Sequence, residues 1–194
     1  MTMFRALLLS RVADTSPIDV EVTELDIDAL PHGPQGTVEI DVSHSSLNYK
    51  DALIVTGRTG LVRSYPHVPG IDLAGTVIAS HTTDVAVGSR VLVTGCWLGE
   101  RHWGGMATRA HVPASWIVAR PDGLDAARAM ALGTAGFTAQ LGLDALIAGG
   151  VTPERGPVLV TGASGGVGSI AVHLLARAGY EVHAASGRAD AREL

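Results

Sequence analysis

The stretch that decides the fold is Val158-Leu159-Val160-Thr161-Gly162-Ala163-Ser164-Gly165-Gly166-Val167-Gly168. A short apolar run from Pro157 to Thr161 suits a strand buried on both faces, and it leads straight into glycines. Glycines at this spacing let a strand turn sharply, let backbone approach a pyrophosphate, and let a helix pack closely on a strand. Helix formers follow from Val167 to Arg177, Gly179 stops them, and Tyr180 to Ala185 reads again as a strand. Strand, glycine turn, helix and strand make a βαβ unit whose helix start favours anionic phosphates. Any tight strand-to-helix turn can collect glycines, but the flanking elements arrive on schedule here, so Ser164, Gly165, Gly166 and Val167 are read as cofactor-binding positions.

The end of the second strand separates the two nicotinamide cofactors. A carboxylate there accepts from a ribose 2′-hydroxyl, whereas an arginine pairs with a 2′-phosphate. This strand ends in Ser186-Gly187-Arg188, with Asp190 two residues beyond Arg188, so a hydroxyl and a guanidinium are available and NADP(H) is the expected cofactor. The competing reading of Arg188 is an ordinary solvated residue at a helix start.

Upstream the grammar differs. Before about Arg120, short alternating runs (Phe4 to Leu9, Val20 to Ile27, Thr37 to Ser43, Gly75 to Ala79, Ser89 to Thr94) are separated by Gly, Pro, Asp and Ser and read as strands of a β-rich unit. Asn48 to Val55 reads as a short helix that Gly57 ends. After Pro121, Asp125 to Leu132 and Thr134 to Ile147 are helix candidates, with Asp125 as a cap, and Gly149 to Gly156 is a surface connection. The expected division is therefore 1–120 and 121–194, within an α/β chain.

Composition narrows the function. Hydrophobic residues make up 46% of the 194 residues and charged ones 17%, which is a globular balance. A net charge of −5 without a basic cluster gives no electrostatic reason for a nucleic-acid or membrane partner, and Phe4 to Leu9 is too short for a membrane span. The single Cys96 makes no internal disulfide and favours a reducing cytoplasm; with no basic neighbour in sequence it is read as a buried thiol. The eight histidines are scattered, without a turn-spaced pair, and read as solvated or core residues.

Five segments taken in order, Ser45-Ser46-Leu47-Asn48-Tyr49-Lys50-Asp51-Ala52-Leu53, Pro69-Gly70-Ile71-Asp72-Leu73-Ala74-Gly75-Thr76-Val77, Trp103-Gly104-Gly105-Met106-Ala107, Gly133-Thr134-Ala135-Gly136-Phe137-Thr138-Ala139 and Val160 to Gly168, resemble the quinone-oxidoreductase branch of the medium-chain dehydrogenase/reductase superfamily. The resemblance is strongest to bacterial acryloyl-CoA reductases. It implies a GroES-like β-rich catalytic domain followed by a doubly wound Rossmann domain, with the nicotinamide in the cleft between them. In zinc-dependent relatives the positions of Asn48 and Ile71 hold a cysteine and a histidine that ligate the metal. Neither Asn48 nor Ile71 is a zinc ligand, and the four-cysteine block of a structural zinc is missing, so a zinc-free enzyme is implied.

Such an enzyme needs other donors for the oxygen on which charge develops. The amide of Asn48 and the phenol of Tyr49 are the candidates, with Lys50 and Asp51 orienting them or pairing with each other. Tyr49 has three readings: cofactor contact, proton donor, or a ring packed on a short helix. Thr134 resembles the position where the family puts a hydroxyl near the nicotinamide; its alternative role is a helix cap. Trp103 is read as shaping a substrate-side loop, and both Trp97 and Trp103 as covering core in the bland alternative.

The substrate class implied is a 2-enoyl-CoA such as acryloyl-CoA, with a quinone as the rival and a non-catalytic cofactor-binding protein as a third reading. A complete doubly wound domain has about six strands. Only the first two are expected by Leu194, so weak cofactor binding and poor turnover are expected of this form. A parallel strand lacking its further neighbours exposes sheet edges, which invites self-association and a homodimer.

Overall fold

The computed structural model describes residues 2–13, 16–31, 37–58 and 60–188. Its contacts divide the chain into two compact units, Met1–Gly133 and Thr134–Leu194. The division falls later than the change of grammar at Pro121, because Ala129 and Met130 bury against Ala74 of the first unit.

The first unit is built on antiparallel strands. Strands β1 (Met3–Ser10) and β2 (Asp19–Asp26) pair as a ribbon. Strands β3 (Thr37–Ser45), β4 (Asp72–Ser80), β5 (Arg90–Thr94), β6 (Arg109–Pro113) and β7 (Val118–Ala119) form a five-stranded sheet in the order β6-β3-β4-β5-β7. Alternation sets the faces: Val38 and Ile40 of β3 turn inward to meet Leu73, Val77, Val91, Val93 and Val112. Glu39 and Asp41, on the other face, pair with Arg109 of the neighbouring strand. A second cluster of Phe4, Ala6, Leu8, Leu30 and Val68 closes the ribbon onto the unit, with Trp103 packed against it.

Helix α1 (Tyr49–Val55) lies between β3 and β4, and Gly57 follows it at φ 68°. Helix α2 runs Ala126–Ala148 but is broken at Gly133, whose φ of 47° and ψ of −151° are non-helical. The two expected helices are thus the two arms of one element, and the Asp125 carboxylate caps the first arm by accepting from the Arg128 amide at 2.7 Å. By length and mean hydropathy (1.2) α2 could cross a membrane. The break at Gly133 would leave backbone groups unsatisfied in hydrocarbon, and its first arm is already committed to the core of the first unit.

In the second unit β8 (Val158–Thr161), α3 (Gly166–Arg177) and β9 (Val182–Ala185) form the expected βαβ unit, with β8 and β9 parallel in the register Val158↔Val182 to Thr161↔Ala185. Leu143, Leu175 and Tyr180 make its core against Val158, Val160 and Val182. The expected burial of β8 on both faces is not met: Leu159 is 64% exposed, because among the described residues nothing covers that side of the two-stranded sheet.

Candidate functional site

In the first unit the functional side chains gather at the start of α1. Asn48 is the N-cap, in extended backbone at φ −121°, and its amide N–H donates to Asp51 Oδ2 at 2.9 Å, the reciprocal half of a capping box. Asp51, only 2% exposed, also turns Oδ1 to the amides of Gly70 and Ile71, both at 3.1 Å. One carboxylate therefore ties α1 to the segment that leads into β4. Burial raises its pKa above the ordinary 3.8, against the lowering effect of the hydrogen bonds from Asn48, Ile71 and Gly70.

A second carboxylate lies behind Asn48. Asp72 is fully buried at the first residue of β4, and its Oδ2 accepts from Ser46 Oγ at 2.6 Å and from Asn48 Nδ2 at 3.2 Å. The same Nδ2 donates to Ser46 Oγ at 2.7 Å. A carboxylate and a hydroxyl oxygen already donating elsewhere only accept, so the Asn48 amide must present its NH2 group to them. With the Ser46 hydroxyl and Asp72 Oδ2 themselves 2.6 Å apart, one N–H of Asn48 is shared between them. Gly133 lies close to the same carboxylate: a Cβ there would stand 2.5 Å from Asp72 Oδ2, so only glycine fits the kink of α2.

Lys50 and Asp51 do not pair with each other. Adjacent helical residues diverge by about 100° around the axis, and Lys50 instead reaches Glu100 at 2.6 Å, a carboxylate 5% exposed. Tyr49 stands 81% exposed, with no hydrogen bond among the described residues. That overturns the reading in which its ring packs on the helix. Ile71 is buried at 3% in the core and offers no ligand atom.

The Gly95–Trp103 segment departs from the sequence reading. Cys96 is exposed, not buried, because Cys96 and Trp97 adopt φ values of 53° and 64° in a turn that directs their side chains outward. Trp97 does not cover the core, being 53% exposed, whereas Trp103 does, with its indole N–H donating to the Pro66 carbonyl at 3.1 Å. His67 is a core histidine whose Nε2 donates to the Gly99 carbonyl at 2.8 Å; burial lowers its pKa from 6.5.

In the second unit the glycine turn meets the end of β9. Ala163 N donates to the Ala185 carbonyl at 3.0 Å, Ser164 Oγ and Ser186 Oγ lie 2.6 Å apart, and the Arg188 amide donates to Ser186 Oγ at 3.2 Å. Gly162 takes a φ of 62°, and a Cβ on Gly168 would collide with the Gly162 carbonyl oxygen and Ala163 Cα. Helix α3 and the turn thus close to a separation only glycine permits, with the Gly165 to Gly168 backbone opening the helix. Ser164, Gly165, Gly166, Val167, Ser186, Gly187 and Arg188 are brought to one end of the βαβ unit; Asp190 lies outside the described residues. Thr134 is the first helical residue after the break in α2, and its carbonyl accepts from Thr138 Oγ1 at 2.7 Å. The N-cap position, which is non-helical, belongs to Gly133, so the cap role expected of Thr134 is not the one it has.

Sequence reasoning missed the Asp72–Ser46–Asn48 network, the Asp51 brace and the Lys50–Glu100 pair. A signal for the first was present: Asp72 is a lone carboxylate inside an apolar strand, a placement that costs energy unless it is hydrogen-bonded.

Residues 34–122 match the alcohol dehydrogenase GroES-like domain. The chain is 49% identical to the acrylyl-CoA reductase AcuI of Ruegeria pomeroyi over 97% of its own length and 56% of that protein. It superposes on the yhdH oxidoreductase of Salmonella enterica, solved in complex with NADP, with a TM-score of 0.92 at 49% identity, covering 97% of this chain and 57% of the other. The Bacillus subtilis protein yhfP, a quinone oxidoreductase by name and solved with NAD bound, gives a TM-score of 0.91 at 42% identity, over 100% of this chain and 57% of the other. The chain thus spans little more than half the length of the relatives it matches.

Proposed function

Because the chain belongs to the medium-chain dehydrogenase/reductase superfamily, in its quinone-oxidoreductase branch, we propose that it is part of a zinc-independent, NADP(H)-dependent reductase of an activated carbon–carbon double bond. The substrate in this reading is a 2-enoyl-CoA such as acryloyl-CoA, the class named for the Ruegeria relative. The enzyme acts in the cytoplasm and assembles as a homodimer. The observation that carries the cofactor assignment is the meeting of the glycine turn with the end of β9, where Ser164 and Ser186 lie 2.6 Å apart beside the Arg188 backbone.

The residues fit such a cofactor. The turn has no Cβ between α3 and Gly162 to hold a pyrophosphate away from the amides, and the start of α3 is electropositive. Ser186 supplies a hydroxyl and Arg188 a guanidinium for a 2′-phosphate. When bound, the reduced nicotinamide supplies a hydride for the β-carbon of the enoyl thioester. This chain's residues then have two tasks. The thioester oxygen gains charge and requires a donor, and the α-carbon requires a proton. Tyr49, exposed and carrying the one phenol at the start of α1, is the donor of choice. Asn48, held beside Asp72 and Ser46, is the second candidate donor. Thr134 contributes a hydroxyl toward the nicotinamide.

The Bacillus relative was solved with NAD, so the phosphate preference rests on Arg188 rather than on the family at large. Replacing Arg188→Ala tests it: NADPH affinity is expected to fall by roughly tenfold or more, with NADH affinity little changed, as for a lost charge-assisted pair. Equal NADPH binding by the variant and the parent refutes the assignment.

A further inference from the structure

Gly95, Cys96 and Trp97, at the end of β5, hold φ values of 70°, 53° and 64° in succession. For Cys96 and Trp97 this is the left-handed region that residues with side chains seldom occupy, and such residues persist only where their surroundings over-determine them. The surroundings do so here. Leu98 N donates to the Gly95 carbonyl at 2.9 Å, and the Trp97 carbonyl collects the amides of Glu100, Arg101 and His102 at 3.2, 3.0 and 3.3 Å. Leu98 is locked in the core, and Glu100 is anchored to Lys50 of α1 at 2.6 Å.

The product of this geometry is an indole held in solvent. Trp97 is 53% exposed although burial would favour it, and the Arg101 guanidinium lies 4.3 Å from its ring centroid. The reaction described above uses neither residue. An aromatic face and a planar cation on a rigid turn suit a ligand that is both aromatic and anionic. A purine would find a stacking face on the exposed ring, while the guanidinium edge keeps N–H groups for a phosphate.

We propose that Trp97 and Arg101 bind the adenosine 3′,5′-bisphosphate end of a coenzyme A thioester. The inference rests on the thioester reading of the substrate and gives it a subsite. The Lys50–Glu100 pair ties this turn to the helix that begins at Tyr49, so the platform keeps a fixed place relative to that phenol. Little conformational freedom is lost on binding, because the turn is already fixed by its own amides. A quinone carries neither purine nor phosphate, and the platform selects against it.

Calorimetric titration of the 194-residue protein with coenzyme A, pantetheine, 3′,5′-ADP and 2′,5′-ADP tests the proposal. Trp97→Ala and Arg101→Ala are each expected to weaken coenzyme A and 3′,5′-ADP about tenfold, the scale of one lost stacking or charge-assisted contact. Pantetheine binding should not change, and 2′,5′-ADP should respond to Arg188→Ala instead. Trp97→Phe, which keeps an aromatic face, should retain most of the affinity. Wild-type affinity for coenzyme A in both alanine variants, or a coenzyme A affinity no greater than that of pantetheine, overturns the platform. Acryloyl-CoA turnover, measured on a form that carries a complete nucleotide-binding domain, separates the two ideas: reduction with an unchanged KM in both variants refutes the platform alone, whereas platform-dependent coenzyme A binding without reduction refutes the reductase reading alone.

Discussion

Replacing Asp51→Ala removes one carboxylate that three backbone amides share, those of Asn48, Gly70 and Ile71. Each buried N–H left without an acceptor costs on the order of 1–3 kcal/mol, and three together set an upper range of roughly 3–9 kcal/mol. Two effects pull the figure down. Burial raises the pKa of Asp51, so the lost carboxylate was itself desolvated at a cost, and water can enter the space that the side chain vacates. The expected loss is therefore about 3 kcal/mol, at the low end. With a urea slope of about 2 kcal/mol per molar, the unfolding midpoint should fall by about 1.5 M.

Tryptophan fluorescence is the suitable probe, since Trp97, Trp103 and Trp116 all belong to the unit Met1–Gly133 and report on it alone. Asp51→Asn is the companion variant. It keeps an acceptor for Gly70 and Ile71, turns an NH2 group toward the Asn48 amide, and should lose less than half as much as the alanine variant. A midpoint for Asp51→Ala within about 0.3 M of the parent would refute the view that this carboxylate braces α1, because 0.3 M corresponds to well under the cost of one unsatisfied donor.

Gly168→Ala places a methyl group against the Gly162 carbonyl and Ala163 Cα, both backbone, so the turn must open; a loss of roughly 1–3 kcal/mol and at least a tenfold weaker NADPH affinity are expected by circular dichroism and calorimetry. His67 has its pKa depressed below 6.5 by burial, so the stability it confers is full above that pH and drains away as pH falls through the lower folded value; a pH series of urea midpoints should decline below about pH 6.5, and His67→Gln should flatten that decline. Tyr49→Phe should lower turnover of acryloyl-CoA by roughly 10- to 100-fold if the phenol donates to the thioester oxygen, with an unchanged urea midpoint because the ring is 81% exposed; wild-type turnover would remove Tyr49 from the chemistry.

What could be read from sequence is what local rules govern. The turn from Gly162 to Gly168, the helix from Tyr49 and the cap at Asp125 each follow from residues within a few positions of one another. The site contacts that escaped notice are long-range: Lys50 meets a glutamate 50 residues on, and Asp72 meets Ser46 across 26. Nothing in the pattern of either segment names its partner. Cys96 and Trp97 escaped for another reason. Left-handed turns are normally announced by Gly, Asn or Asp, and here only Gly95 does so, while the next two residues are held at positive φ by a core leucine and three converging amides. Leu159 misled because an apolar strand looks alike whether one or both of its faces are covered.

The two polar candidates read from the start of α1 stand in different surroundings. A buried carboxylate must be hydrogen-bonded, and Asp72 draws on Ser46 and Asn48. The demand orients the amide, whose NH2 group faces Ser46 and Asp72. The phenol of Tyr49, next in sequence, is left free of such obligations at the surface of the same helix. Within the unit Met1–Gly133, Tyr49 is thus the candidate whose side chain is open to a ligand, and Asn48 the one held in place by its neighbours.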